Sequence, residues 1–191
     1  MSEITEKWDR RYNSAPDDFP EASRVLQDFA HLLPTQGDAL DLACGLGGNA
    51  LFLAETQLSV HAWDISSVAI DKLNSYALSR HLTVQAEMRD IIAQPPHVET
   101  FDVIVVSYFL HRPLAKFLYD ELRPNGLLFY QTFTHKKISD AGPSNPDFLL
   151  LENELLEMFG HLQLLAYREE DKTGNIKKGL RNEAFLIGQK V

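Results

Sequence analysis

Apolar and polar positions change their period once along the chain. Up to residue 35 the apolar side chains recur at helical spacing. Ile4, Trp8 and Arg11/Tyr12 share one face, and Val25, Leu26, Phe29, Leu32 and Leu33 form a second stripe that stops at Pro34. Asp18 and Glu21 have the spacing of a capping box, with Pro20 in the first turn of that second helix. From Asp38 onward short apolar runs alternate with longer amphipathic segments. The runs predict strands over 39–43, 58–63, 82–86, 101–107, 126–132, 162–167 and 184–187. Of these, Phe101 to Ser107 is an almost unbroken β-branched run, as expected for a strand buried on both faces. Helices are expected over 49–55, after Ser66 or Ser67 with Ile70, Leu73 and Ala77 inward, from Pro113, and through Leu151, Leu155, Leu156 and Phe159. Residues 169–181 are charged, contain Gly174-Asn175 and Gly179, and lack an apolar stripe, which reads as the exposed connection of a closing antiparallel hairpin.

Alternating β and α elements of this kind predict an α/β fold. It is a doubly wound, Rossmann-like, mostly parallel sheet with an antiparallel strand near the C-terminus. No repeat, low-complexity tract or linker interrupts the pattern, so 1–191 reads as a single domain: an N-terminal helical segment, 1–35, and an α/β core, 36–191.

Composition narrows the partners. Of 191 residues, 27 are Asp or Glu and 18 are Lys or Arg, a net charge of −9. Nucleic-acid binding needs clustered cations that displace counterions, so a small-molecule partner is expected and no nucleic acid. Cys44 is the single cysteine, which excludes an internal disulfide and a four-cysteine zinc site. No metal is expected, and a reducing cytoplasm fits. The N-terminus, Met1 to Arg11, is charged and lacks the apolar core of a signal peptide, and no run approaches the length of a membrane span, so no membrane partner is expected.

Candidate chemistry concentrates at Asp41-Leu42-Ala43-Cys44-Gly45-Leu46-Gly47-Gly48-Asn49-Ala50. Here the chain leaves a strand, turns on glycines and enters a helix, the place where an α/β sheet binds a nucleotide-like cofactor. A side chain at Gly45 or Gly47 would hold the backbone away from such a ligand; a tight turn without a ligand is the alternative. Asp64 ends the second strand at about the 20-residue spacing from the glycines at which an acid meets ribose hydroxyls. Asp90 follows the third strand, where its carboxylate can accept from an exocyclic adenine amine while Ile65 and Ile91 sandwich the ring. For both acids the competing reading is a helix cap or a solvated loop end. The glycines also satisfy the dinucleotide pattern, so an NAD-binding oxidoreductase is an alternative. Against it, Asp41 sits inside the strand where dinucleotide folds want an apolar residue, and the rest of the chain is short for a separate catalytic domain. An acid there suits a ligand with a cationic amino group.

In these motifs the chain resembles the class I S-adenosylmethionine-dependent methyltransferases, from about residue 37 to the end. Leu40 to Asn49 is similar to the family's first motif, Trp63-Asp64-Ile65-Ser66 to the second and Arg89-Asp90-Ile91 to the third. Phe101 to Ser107 resembles the fourth, and Leu122-Arg123-Pro124-Asn125-Gly126 the entry to the fifth strand. Glu6-Lys7-Trp8-Asp9-Arg10-Arg11-Tyr12 resembles the opening of a small bacterial branch that includes tellurite-resistance and thiopurine methyltransferases. The resemblance implies a seven-stranded sheet, S-adenosyl-L-methionine as cofactor, and an N-terminal helix that covers it. The chain departs from the family pattern at Ala43, where glycine is common, and at Asn125, where Pro-Gly-Gly is commoner.

By this resemblance Asp41, Gly45, Gly47, Asn49, Asp64, Ile65, Asp90, Ile91 and Ser107 would hold the cofactor. Arg11 would pair with its carboxylate, and Trp8 or Tyr12 would shield the sulfonium; a helix merely packed by Trp8, with Arg11 in solvent, is the other reading. The acceptor should lie beyond the fourth strand, in Ser107-Tyr108-Phe109-Leu110-His111-Arg112-Pro113. His111 is the candidate base or else a helix cap; Arg112 either orients an anionic acceptor or sits structurally at the helix start. Ser-Tyr-Phe-Leu is not the Asp/Asn-Pro-Pro-aromatic sequence of DNA amino methyltransferases. The expected function is methyl transfer to a small-molecule acceptor. A regulatory module that binds the cofactor without transfer is a further alternative, and the oligomeric state is unknown from sequence.

Overall fold

The computed structural model describes residues 3–16, 18–95 and 97–191. Met1 and Ser2, read above as part of the charged N-terminus, lie outside the described residues. A seven-stranded sheet with order β3-β2-β1-β4-β5-β7-β6 forms the centre. Its strands are β1 (Gly37–Leu42), β2 (Leu58–Asp64), β3 (Val84–Met88), β4 (Phe101–Ser107), β5 (Leu122–Phe133), β6 (Gln163–Glu169) and β7 (Glu183–Gln189). β1 through β5 pair in parallel, and β7 runs against both neighbours, β5 and β6. The antiparallel strand is therefore second from the edge, and β6 forms the edge.

Helices α1 (Glu3–Asn13), α2 (Arg24–Asp28), α3 (Gly48–Ala54), α4 (Ser67–Ser79), α5 (Leu114–Glu121) and α6 (Glu154–Met158) surround the sheet. Side chains alternate across each strand, which gives every central strand two apolar faces. Leu40, Leu42, Ile104, Val106, Leu128 and Tyr130 pack with Leu114 and Leu118 of α5 and Leu155 of α6. Ala39, Val103, Val105, Phe129 and Ile187 pack on the other side with Val25 and Leu26 of α2, Leu53 of α3 and Leu73 of α4. At the amino ends of the strands Arg123 bridges Asp38 and Asp102, at 2.8 and 2.6 Å, and ties β1, β4 and β5 together.

The N-terminal region differs from the sequence expectation. The Asp18/Glu21 capping box does not form, because 18–23 has no regular structure and the Pro20 and Glu21 carbonyls pack on Gly48. α2 starts after Ser23 and lasts only to Asp28, and the stripe continues as a 3-10 turn at Ala30–Leu32. α6 is also shorter than its apolar stripe.

Period-two alternation has a second consequence. Asp64, Asp41, Ser107, Gln131 and Glu183 share the α2/α3 side of the sheet, each in step with a residue of that apolar layer. All sit where the parallel strands end, so the apolar layer finishes there in polar groups drawn from β2, β1, β4, β5 and β7.

Candidate active site

The turn after β1 is built by local backbone constraints. Ala43, Gly45 and Gly47 all have positive φ, at 56°, 54° and 81°. Cys44 N–H donates to the Trp63 carbonyl at 3.0 Å, and Gly47 N–H to the Cys44 carbonyl at 2.8 Å. A Cβ on Gly45 would lie 2.8 Å from the Tyr12 hydroxyl, and one on Gly47 would lie 2.4 Å from a Leu73 methyl. The glycines thus admit close approach by α1 and α4, a protein-side requirement for glycine at the same positions where a ligand would need it.

Two carboxylates flank the turn. Asp64, at the end of β2, accepts from Gly45 N–H at 2.8 Å on one oxygen and from Ser66 N–H at 2.9 Å on the other. Each oxygen has a second lone pair, so two hydroxyls can still be received. Asp41 accepts from Ala50 N–H at 3.0 Å, at the start of α3, and from the Asn49 amide at 3.2 Å. Burial drives the Asp41 carboxyl up to about 7 against the opposing effect of these hydrogen bonds, and the Asp64 charge adds to the rise. Burial likewise raises Asp64, with its backbone donors opposing. Burial first, then the charges of Asp41 and Asp64, also raise the Cys44 thiol well above its ordinary range. No cation among the described residues offsets either acid.

Asn49 joins this corner to the rest of the row. Its Oδ1 accepts from Ser23 N–H at 2.8 Å, and its Nδ2 donates to Asp41 and, at 3.1 Å, to the Ser107 hydroxyl. Gln131 does the same one strand further along. Its Oε1 accepts from Val25 N–H at 2.8 Å, and its Nε2 donates to Glu183 at 2.5 Å and to the Tyr108 hydroxyl at 3.3 Å. The N–H groups of Ser23, the N-cap of α2, and of Val25 in its first turn are thus held by two buried amides.

α1 lies over the turn. Tyr12 stacks on Trp8 at 5.7 Å, and Arg11 lies 5.5 Å from the centre of the Trp8 ring with its guanidinium toward solvent. Asp9 accepts from the Ser66 hydroxyl at 2.6 Å and from Val68 N–H at 3.4 Å, fastening α1 to the start of α4. Asp9, which belongs to the opening motif quoted for its resemblance, has no role in the residue reading above, whereas Tyr12 is expected there, as the alternative to Trp8, to shield the sulfonium.

The remaining candidates are placed as follows. Asp90 is exposed and accepts from Ile92 and Ala93 N–H, capping its own turn. Ile91 is buried in the layer under α5, while Ile65 is half-buried. His111 is half-buried; its carbonyl accepts from Leu114 N–H at the start of α5, and its ring makes no hydrogen bond among the described residues. Arg112 is fully engaged structurally: it grips both Glu154 oxygens and donates to the Asp147 and Leu149 carbonyls at 2.8 and 3.0 Å. Phe109 packs against the core, whereas Tyr108 stays exposed. Lys136, just after β5, pairs with Glu152 and Asp171 and so ties neighbouring loops together.

Residues 40–128 match a family described as a methyltransferase domain. Over 149 residues the chain is 28% identical to a probable S-adenosyl-L-methionine-dependent methyltransferase, TehB, of Haemophilus influenzae, covering 71% of this chain and 52% of that protein. The chain therefore spans about half the length of the curated relatives it matches. The crystal structure of Haemophilus influenzae TehB superposes with a TM-score of 0.72 at 23% identity, over 98% of this chain and 67% of that one. A SAM-dependent methyltransferase structure from Methanosarcina mazei gives 0.68 at 20% identity, over 90% and 99%. The fold is shared with both. S-adenosyl-L-methionine is the cofactor of the matched family, and the residues present fit it. Two buried, uncompensated carboxylates beside a glycine turn suit a ligand that carries an ammonium, a sulfonium and a ribose diol.

Proposed function

We propose that this chain, a member of the class I S-adenosylmethionine-dependent methyltransferase family resembling the TehB branch, transfers a methyl group to a small-molecule acceptor. The observation that carries the reading is the pair Asp41 and Asp64, buried at the end of β1 and β2 with no cation among the described residues to offset them. When bound, S-adenosylmethionine supplies a methyl group on a sulfonium centre, open to displacement from the side opposite sulfur. Asp64 would hold the ribose hydroxyls through its free lone pairs, and Asp41, oriented by Asn49 and Ala50, would face the amino group. Gly45, Gly47 and Ser107 line the same turn and strand end. Asp90, Ile65 and Ile91 would receive the base.

Trp8, Arg11 and Tyr12 would close the site from above, with Asp9 fixing the helix that carries them, and so exclude water from the reacting atoms. On this reading 1–35 serves as a cover for the core 36–191. No covalent protein intermediate is required, and His111 stands near the strand-four end as a base for acceptors that must lose a proton. The dinucleotide alternative is set aside by the matched domain. The net charge of −9 argues against nucleic acid, no helix among the described residues is long and apolar enough to cross a membrane, and the lone cysteine suits a cytoplasmic setting.

Calorimetry tests the reading. S-adenosylmethionine or its demethylated product should bind stoichiometrically, and Asp64→Ala should weaken binding by about a hundredfold or more, from the loss of charged hydrogen bonds. No heat from folded protein would remove the proposal. Labelled cofactor incubated with a cell extract then identifies the acceptor by its labelled product.

A further inference from the structure

Beyond β4 the polar row continues away from the cofactor turn into a second cluster. Tyr108, the first residue after the strand, has a φ of 58°, a left-handed backbone that a bulky side chain adopts only where its surroundings enforce it. The enforcement is visible. Tyr108 N–H donates to the Gln131 carbonyl at 2.8 Å, and its ring leans on Phe133 at 5.0 Å with the planes tilted by 35°. Its hydroxyl reaches both Gln131 and, at 3.4 Å, Glu183. The same side chain remains 49% exposed, so the strain presents an aromatic face to solvent rather than burying it.

Glu183, at the start of β7, is held from one side only. Gln131 and Tyr108 both donate to Oε2, and no donor among the described residues reaches Oε1. Arg24, the cation whose field acts on Glu183, is engaged with Asp28 at 3.2 Å. Arg112, the arginine that sequence offered for an anionic acceptor, is spent on Glu154 and two carbonyls. What the strand ends offer a ligand is therefore one oriented carboxylate beside two aromatic rings. That is a recognition set for a positive charge, and it repels an oxyanion.

We propose that Glu183, Tyr108 and Phe133 form the acceptor subsite, and that it selects small molecules carrying a protonated amine next to an apolar body. The proposal rests on the methyl-transfer reading above and specifies its acceptor class. Glu183 binds the ammonium through Oε1. Gln131 fixes the carboxylate from behind, and Tyr108 and Phe133 supply the ring faces. Gln131 is a positioning residue, because it reaches the ligand only through Glu183.

Ligand-observed NMR with two probes of one shape and opposite charge, benzylamine and benzoate, tests this on the full chain saturated with S-adenosylhomocysteine. Benzylamine should bind and benzoate should not. Glu183→Gln should weaken benzylamine by at least about tenfold and abolish the preference, and Tyr108→Phe should weaken it by roughly threefold. Glutamine at 183 can still accept from Gln131, so the variant keeps the packing; circular dichroism checks that it folds. Stronger binding of benzoate, binding of neither probe, or unchanged benzylamine binding in Glu183→Gln would each overturn the subsite. Calorimetry of S-adenosylhomocysteine on the same samples separates the two ideas. Its failure in the wild type removes the methyl-transfer reading, whereas intact product binding without an amine preference removes the subsite alone.

Discussion

The two halves of the polar row use the same kind of carboxylate differently. On the β1/β2 side Asp41 and Asp64 are buried, close to one another, and held mainly by backbone N–H groups of the turn and of α3 and α4. On the β5/β7 side Glu183 is half-buried and held only by side chains, Gln131 and Tyr108, that lie far away in sequence. Backbone donors come with the fold and cannot be altered by substitution, whereas side-chain donors can be exchanged one at a time. A fixed corner suits a ligand that never changes, and an exchangeable corner suits a ligand that differs among proteins of one fold.

The largest test of this contrast exchanges the two amide hubs. Asn49→Ala leaves the Ser23 N–H and one side of Asp41 without partners inside the protein. It should cost about 2–4 kcal/mol of stability and weaken S-adenosylmethionine strongly. Gln131→Ala strips Val25 N–H of its acceptor and leaves Glu183 with Tyr108 alone, and should cost about 1–3 kcal/mol while leaving cofactor affinity within about twofold. Chemical denaturation and calorimetry on both variants decide it. Equal losses of cofactor affinity would merge the two corners into one unit.

A second test uses the proton on Asp41. Its carboxyl is held at about 7, chiefly by burial, so the apoprotein gains a proton there relative to the unfolded chain. That contribution to stability is complete below the ordinary aspartate range and is lost as pH rises toward 7. A cationic ligand favours the ionised form, so binding must run the other way. Cofactor affinity should fall by up to about tenfold for each pH unit below 7, with proton release on binding, and Asp41→Asn should flatten the dependence. Calorimetry in buffers of different ionisation heat reads the released proton directly.

How far the sequence exposes these corners follows from where their partners lie. β4 was expected over the residues it occupies, because an unbroken β-branched run admits one reading. β5 begins earlier than expected, since Arg123, Pro124 and Asn125 look like a turn. They join the strand through a register shift between Phe101 and Val103. The N-terminal capping box was misplaced because packing of the Pro20 and Glu21 carbonyls on Gly48 outweighs a local cap. Asp41, Asn49 and Asp64 were visible because they share a short motif. Glu183 carried no local signal: only the strand order β4-β5-β7 brings it beside Tyr108 and Gln131. Gln131 left one trace, a polar residue directly after Leu127-Leu128-Phe129-Tyr130, and such a residue in a buried run asks for partners.

The smallest effect comes from a carboxyl outside the row. Glu121, at the end of α5, is as buried as Asp41, yet neither of its oxygens has a hydrogen-bond partner among the described residues. Burial pushes its carboxyl up to about 8, only partly offset by the charge of Arg89. The folded protein therefore holds a proton that the unfolded chain releases near pH 4.5, and stability drains away as pH rises from there to about 8. Glu121→Gln should remove that slope and leave the variant about 1–3 kcal/mol more stable than wild type at pH 9, as read by urea denaturation. Cofactor affinity and its pH dependence should not move. A change in either would mean that buried carboxyls couple across the whole sheet, and the separate proton economy assigned to the cofactor corner would fail.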